Sequence, residues 1–379
     1  MKTDRSSLGL YVHIPFCVKK CAYCDFYSQT DYSISNSYLQ ALLQEARMLS
    51  QRYSGRLIDT VYIGGGTPSS LTAAQLSLLL SSLRDLFEIE VDAEFTLEAN
   101  PATLDEEKLS VIKKCGVNRL SIGLQSASNR ELGTLSRVHS YEDFEKTYHL
   151  ARQYIDNISL DLMFGLPDQT EASFQNTLER AVAFQPNHIS MYALKIEEGT
   201  LFYRMEDVLS LPSEDAVANM YLHACDFLEK AGFLQYEISN FAIPGCSSRH
   251  NLRYWKREEY IGLGPAAHSF VDGRRYANAK DIRAYIQSLS NGVLPPVSEE
   301  VSLSRQDEIE EEIMLKLRTT EGLDWAYLEE KTGYTIEKVI VAKIQEYVKY
   351  GFLIQKGNSV SFTPRGFLVS NTIISDLLP

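Results

Sequence analysis

The chain has 379 residues, 44% hydrophobic and 23% charged, which is the composition of a soluble globular protein of two or three domains. A net charge of −13 argues against binding to a phosphate backbone, no apolar run approaches the roughly 18 residues of a spanning helix, and Met1 to Leu8 lacks the apolar core of a leader, so a cytoplasmic location is expected. Six cysteines are too few for a disulfide scaffold, and three of them crowd into Cys17 to Cys24 while Cys115, Cys225 and Cys246 stand alone, a clustering that suggests metal.

Short β-rich runs recur at Leu10 to Ile14, Thr60 to Ile63, Glu94 to Leu97, Arg119 to Ile122, Ile158 to Leu162 and His188 to Tyr192. Helical periodicity fills the intervals, as at Tyr38 to Leu49, Ala73 to Phe87, Leu104 to Lys114 and Glu171 to Phe184. Such alternation predicts a parallel sheet, barrel or open, with its chemistry at the carboxyl ends of the strands. Unusual loops follow the runs: Cys17 the first, Gly64-Gly65-Gly66-Thr67-Pro68 the second, Glu98-Ala99-Asn100-Pro101 the third, Gln125-Ser126 the fourth and Gly165-Leu166-Pro167 the fifth. Five such loops on one rim would build one site. After about residue 200 the rhythm fades, and Asn291 to Pro296 reads as a linker. Beyond it Arg305 to Leu317, Trp325 to Thr332 and Ile336 to Tyr350 read as helices, and Phe352 to Gln355 with Ser359 to Phe362 as a hairpin, together a winged-helix-like module. The acids of Asp307 to Glu312 suit the first turns of a solvated helix. The expected units are residues 1–200, 201–295 and 296–379.

In Tyr11-Val12-His13-Ile14-Pro15-Phe16-Cys17-Val18-Lys19-Lys20-Cys21-Ala22-Tyr23-Cys24 the thiols lie four and then three positions apart, close enough for one loop to wrap one inorganic centre. Three thiolates are one short of the four that close a cubane, which leaves one iron open to a chelating ligand. Packed cysteines, or a zinc site with a distant fourth ligand, are the plain alternatives. The C-x3-C-x2-C loop, with aromatic Tyr23 before its last cysteine, resembles the signature of the radical S-adenosylmethionine (SAM) superfamily. The resemblance implies a [4Fe-4S] cluster on Cys17, Cys21 and Cys24, SAM beside it, and an α/β fold: a partial (β/α)6 TIM-like barrel followed by a mainly helical winged-helix-like domain. Gly64 to Pro68 resembles the loop that receives the amino group of SAM, and close backbone approach explains the missing side chains.

More narrowly, Tyr-x-His-Ile-Pro-Phe-Cys and the order of the loops resemble the oxygen-independent coproporphyrinogen III oxidase group. In that group the SAM contacts match Tyr11, Tyr23, Gly65, Gly66, Thr67, Glu98, Gln125, Arg137 and Asp161, and more loosely Ala193 and Ala267. Glu98 and Asp161 can accept hydrogen bonds from the cofactor, Gln125 can donate or accept, and Arg137 can pair with its carboxylate. Asp25-Phe26 follows Cys24 where the dehydrogenase of this group has Gly-Cys, and only ten residues precede Tyr11, short of the segment that enzyme lays over its substrate. His250-Asn251-Leu252-Arg253-Tyr254-Trp255 instead reproduces the H-N-x-x-Y-W motif of the group's haem chaperones, the HemW type, and Gly262 to Ser269 is similar to them as well.

That resemblance implies haem as a third ligand, haem-accepting partners such as respiratory enzymes, a homodimer, and a cytoplasmic protein that works in part at the inner membrane face through its clients. His250 is the haem-ligand candidate, since a neutral imidazole is a common axial ligand and Tyr254 and Trp255 could cover a porphyrin face; packing within a barrel closure is the plain alternative. His268 is a second candidate, although Ala266 and Ala267 put its loop near SAM. His13 reads as structural, and Cys246 as a packed residue or a thiolate ligand. The enzymatic alternative is coproporphyrinogen oxidation through reductive cleavage of SAM. A winged-helix regulator would need a basic recognition helix, and Ile336 to Tyr350 mixes Glu with Lys.

Overall fold

The computed structural model describes residues 7–379, so all but the end of the Met1 to Leu8 stretch lies outside the described residues. In chain order β1 (Leu8–Ile14), α1 (Ser35–Arg52), β2 (Ile58–Gly65), α2 (Ala73–Leu86), β3 (Ile89–Ala99), α3 (Glu106–Lys114), β4 (Arg119–Gln125), α4 (Asn129–Thr134), α5 (Tyr141–Arg152), β5 (Asn157–Phe164), α6 (Glu171–Ala183) and β6 (His188–Ala193) alternate through the first half. Each strand pairs in parallel with the next. The helices present apolar stripes to this sheet. In α2, Leu76, Leu79, Leu80 and Leu83 recur at helical spacing and are fully buried, and each such side chain contributes about 2 kcal/mol of transfer free energy. A Thr72–Gln75 capping box fixes where α2 begins.

The segment that loses the βα rhythm extends the sheet at both edges. It holds α7 (Leu201–Arg204), α8 (Glu214–Lys230), β7 (Leu234–Gln235), β8 (Asn240–Ala242), α9 (Arg249–Trp255), β9 (Tyr260–Leu263), β10 (His268–Val271), β11 (Arg274–Asn278), α10 (Ile282–Ser290) and β12 (Val297–Ser302). The complete order is β12-β11-β10-β9-β1-β2-β3-β4-β5-β6-β8-β7. β9 runs parallel to β1, whereas β8 is antiparallel to β6. The linker Asn291 to Pro296 therefore leads back into this sheet and not directly into helices. β12 is exposed along its whole length, and its Glu299 and Glu300 are the kind of charge that discourages pairing at a sheet edge.

The C-terminal module contains α11 (Arg305–Leu317), β13 (Leu323–Asp324), α12 (Trp325–Thr332), α13 (Lys338–Lys349), β14 (Leu353–Lys356), β15 (Ser359–Phe362), α14 (Pro364–Leu368) and α15 (Ser370–Leu377), with sheet order β13-β15-β14. The three expected helices and the hairpin are present; the closing pair α14 and α15 was not anticipated. Ile313, Leu317, Leu328, Ile344, Phe362 and Leu377 are among the side chains of its core.

A buried ionic cluster joins this module to the sheet. Arg257, just past α9, lies 3.1 Å from Glu311 and 3.4 Å from Glu312. Arg275 of β11 also pairs with Glu311, and Lys331 of α12 with Glu312 at 2.9 Å. The side chains of Arg257 and Glu312 are only 6% and 1% exposed, so removing one partner leaves buried charge without its counter-charge. Arg257→Met is expected to lower stability by about 3 kcal/mol, read as a lower urea midpoint, with limited proteolysis cutting first between β12 and α11; an unchanged midpoint would show that the cluster contributes nothing net.

Candidate functional site

The core strands are two-faced. In β4, Leu120, Ile122 and Leu124 are wholly buried apolar residues, while Arg119, Ser121, Gly123 and Gln125 alternate with them and line a cavity of about 350 Å³. Tyr62 and Glu98 reach the same cavity from β2 and β3, Asp161 from β5, and Ser190 and Tyr192 from β6. It opens at the carboxyl ends of the strands, where the three clustered cysteines and Gly65, Gly66 and Thr67 complete the wall.

The cysteine loop is closed at its base by backbone hydrogen bonds from Cys17 to Gln29 (2.9 Å) and from Gln29 to Pro15 (2.9 Å). The glycine loop zips against it: Gly66 N donates to Ile14 O at 2.8 Å and Thr67 N to Phe16 O at 2.7 Å. Glycine is required here, because Gly65 has φ +107° and a Cβ on it would lie 2.5 Å from the His13 ring. A Cβ on Gly66 would lie 2.8 Å from the carbonyls of Ile14 and Phe16. Thr67 Oγ1 donates to Cys17 Sγ at 3.5 Å, and Arg137 Nη1 to Cys21 Sγ at 3.7 Å. All three thiols are free and half-buried. Three separate thiols on one wall suit a cluster in which each thiolate takes its own iron.

The buried acids carry the electrostatics. Glu98 accepts from Tyr62 Oη at 2.8 Å and from Gly65 N at 3.1 Å, yet burial pushes its carboxyl up to about 7. Burial also raises Asp161, which accepts from Ser121 Oγ at 2.9 Å. Across from them Arg137 donates to Gly123 O at 3.0 Å, and the Nε atoms of Arg137 and Arg119 have no partner among the described residues. The cavity wall thus carries two acids that resist ionisation and two guanidinium groups.

Of the residues singled out from the sequence, Cys17, Cys21, Cys24, Tyr23, Gly65, Gly66, Thr67, Glu98, Gln125, Arg137, Asp161 and Ala193 line this one cavity. Tyr11 stands behind its wall, near-parallel to Tyr62 with ring centroids 6.4 Å apart, and its hydroxyl meets His13 Nδ1 at 2.9 Å. His13 also meets Tyr27 O at 2.8 Å, a structural pairing. Ala267 is buried outside the cavity, and His268 is exposed on β10. Cys246 lies near Asn187, at the amino-terminal end of β6, away from the cluster loop.

His250 departs most from its expected role. It is 0% exposed, with Nδ1 3.0 Å from Thr60 Oγ1 and Nε2 2.7 Å from Tyr254 Oη. Both ring nitrogens are engaged and the ring is walled in, so this conformation offers no lone pair to an iron. The Tyr254 hydroxyl is occupied by His250, and its ring packs edge-on against Tyr260 at 4.6 Å. The motif helix α9 instead plugs the barrel from below, and only Asn251 of the motif reaches the cavity. Tyr62, Arg119, Ser121, Ser190, Tyr192 and Asn251 were not anticipated as lining residues. For the strand residues the signal was there: polar side chains at every second position of apolar runs.

Comparison with known proteins agrees with this architecture. The model of the radical SAM superfamily matches residues 11–181, and that of the HemN C-terminal domain matches residues 303–369. The heme chaperone HemW of Bacillus subtilis is 36% identical over 376 residues, covering 97% of this chain and 98% of the relative. HemW of Lactococcus lactis is 35% identical over 373 residues (97% and 96%), and HemW of Escherichia coli 34% over 375 residues (97% of each). The solved structure of Escherichia coli coproporphyrinogen III oxidase (HemN), a radical SAM enzyme, matches with a TM-score of 0.86 at 25% identity, over 98% of this chain and 90% of that one. With identities above 30% running almost end to end, the chain belongs to the HemW family of radical SAM proteins.

Proposed function

We propose that the protein is a haem chaperone that holds a [4Fe-4S] cluster on Cys17, Cys21 and Cys24, keeps SAM against it, binds haem and passes it to acceptor proteins such as respiratory enzymes. The observation that carries this reading is the end-to-end likeness to relatives named heme chaperones. The radical SAM family implies the cluster and SAM, and the cavity's chemistry fits both. Thr67 and Arg137 steady two of the thiols. Glu98, Gln125 and Asp161 supply acceptors for the ammonium and ribose of SAM, and the Arg137 guanidinium on the cavity wall suits its carboxylate. When bound, the cluster supplies an electron and an open iron for chelation. The residues around it bind, orient and shield.

Haem has a large apolar face and two carboxylates, and the mouth of the cavity has matching chemistry. Val18 and Phe26, both on the cysteine loop, are 57% and 61% exposed, and Val138 and Tyr192 extend the apolar rim. Lys19 and Lys20 stand exposed between them, cations suited to propionates in a chain of net charge −13. This rim, and not the enclosed His250, is the surface we assign to haem. A second reading, oxygen-independent coproporphyrinogen III oxidation, is favoured by the likeness to the HemN structure. Among the described residues no helix is long and apolar enough to cross a membrane.

Anaerobic incubation of the reconstituted protein with reductant, SAM and coproporphyrinogen III, beside a haem titration, separates the two readings. Saturable haem binding without a porphyrin product is expected, and catalytic formation of protoporphyrinogen would make the protein an oxidase. Cys17→Ala, Cys21→Ala and Cys24→Ala should each abolish the brown cluster absorbance, whereas unchanged iron content would remove these thiols as ligands. SAM affinity is expected to depend on pH with a definite sign. Glu98 is protonated below about 7 in the empty site and must ionise to pair with a cation, so SAM should bind more tightly as pH rises from 6 to 8. Calorimetry in buffers of different ionisation enthalpy should record proton release near pH 6.5, lost in Glu98→Gln; a flat pH profile would exclude Glu98 as the partner of SAM.

A further inference from the structure

The enclosed histidine of α9 has a second set of contacts that runs towards the cavity. The His250 ring lies near-parallel to that of Tyr62, with centroids 5.2 Å apart and planes 25° apart. Tyr62 in turn gives its hydroxyl hydrogen to Glu98 Oε1 at 2.8 Å. Between them Gly64 leaves just enough room, since a Cβ there would lie 2.9 Å from both the Glu98 carboxyl and the Tyr62 ring. From the other side Glu94 of β3 anchors the start of α9: it accepts from His250 N at 3.0 Å, Arg249 N at 2.8 Å and Ser248 Oγ at 3.2 Å. The imidazole is therefore fixed by Glu94 through its backbone and by Thr60 and Tyr254 through its two nitrogens, and its flat face meets Tyr62.

We propose that His250 is a positioning residue for Glu98, acting through Tyr62, so that the motif helix sets the geometry of an acid in the cavity. The residue type fits this work. A phenyl ring would stack but leave the hydroxyls of Thr60 and Tyr254 without partners in a dry site. Alanine would leave a void behind Tyr62 into which its ring could tilt. Burial, with Arg253 and Arg119 nearby, lowers the imidazole to about 3, so it remains neutral and offers one donor and one acceptor at any working pH. The charged and titratable groups that face Glu98 are Tyr62, Asp161, Arg119, Tyr11, Tyr192 and Tyr254; those that face His250 are Arg253, Arg119, Glu94, Tyr62 and Tyr254. The functional meaning of the inference rests on the reading that Glu98 receives SAM, but the positioning can be measured without SAM.

The test is an infrared titration of the Glu98 carboxyl in the ligand-free protein, identified by subtracting the spectrum of Glu98→Gln. His250→Ala should raise the pH of ionisation by about one unit, because the carboxylate loses a well-aligned donor, and Tyr62→Phe should do the same. The double variant should shift no further than Tyr62→Phe alone, since both act along one path. The triple variant His250→Phe/Thr60→Val/Tyr254→Phe, which keeps the stack and removes both hydroxyls, should restore the wild-type titration. If His250→Ala does not fold, His250→Gln, which keeps the hydrogen bonds and loses the stack, is read against the same criterion. An unshifted Glu98 titration, or shifts that add, would overturn the proposal. So would loss of the haem Soret band in His250→Gln with the Glu98 titration intact. If the titration moves as expected while SAM affinity does not, the assignment of SAM to Glu98 falls and the positioning stands.

Discussion

Everything in this molecule depends on the two faces of six parallel strands. Their outward side chains are apolar and meet the helices, and their inward ones are polar and meet each other. Parallel strands buried on both faces ordinarily read as continuous apolar runs. Here Thr60, Tyr62, Thr96, Glu98, Arg119, Ser121, Ser159, Asp161, His188 and Ser190 interrupt those runs at alternate positions. Such a lumen costs desolvation, offset where the groups satisfy one another. His188, for example, meets Ser159 Oγ at 2.7 Å and Tyr236 Oη at 2.8 Å. Where they do not, as at the Nε atoms of Arg119 and Arg137, a buried donor is left without a partner among the described residues.

The closure of the barrel from below follows from the same constraint. Polar groups at the amino-terminal ends of the strands need partners, and α9 with its flanks brings them: Ser248 and the first amides of the helix to Glu94, His250 to Thr60, and Arg253 to Asp59. The helix is short, so these side-chain bonds, and not propensity, hold it in place. Its exit at Arg257 enters the ionic cluster on α11, which puts the C-terminal module in register with the barrel floor.

Much of this was legible in the sequence because the signals were local. The βα rhythm located all six core strands and, between them, α1, α2, α3 and α6, while α4 and α5 were not among the helical runs singled out. The cysteine spacing and Gly64 to Pro68 marked the rim, since a loop that must bring three thiols and bare backbone together has few spellings. What escaped depended on tertiary partners. The motif His250 to Trp255 shows its residue types but not its depth: nothing in six letters says that Thr60, nearly two hundred positions away, takes one nitrogen of that histidine. The short strands β7 to β12 were missed because runs of two to six residues are too brief to show an apolar periodicity, and β12 is exposed throughout. Arg119 and Tyr62 were visible as alternation but were read as strand residues, since only closure of the sheet turns an inward face into a wall.

Among the described residues, α9 stoppers the barrel at the amino-terminal ends of its strands, and the cavity opens at the other end. Two guests of unequal size that share it cannot come and go independently: the deeper must arrive first and depart last, and the outer one sets the dwell time of both. Were SAM to lie at the floor and a tetrapyrrole across the lip, as proposed, the floor plug would order their binding, and the outer guest could leave without the inner one.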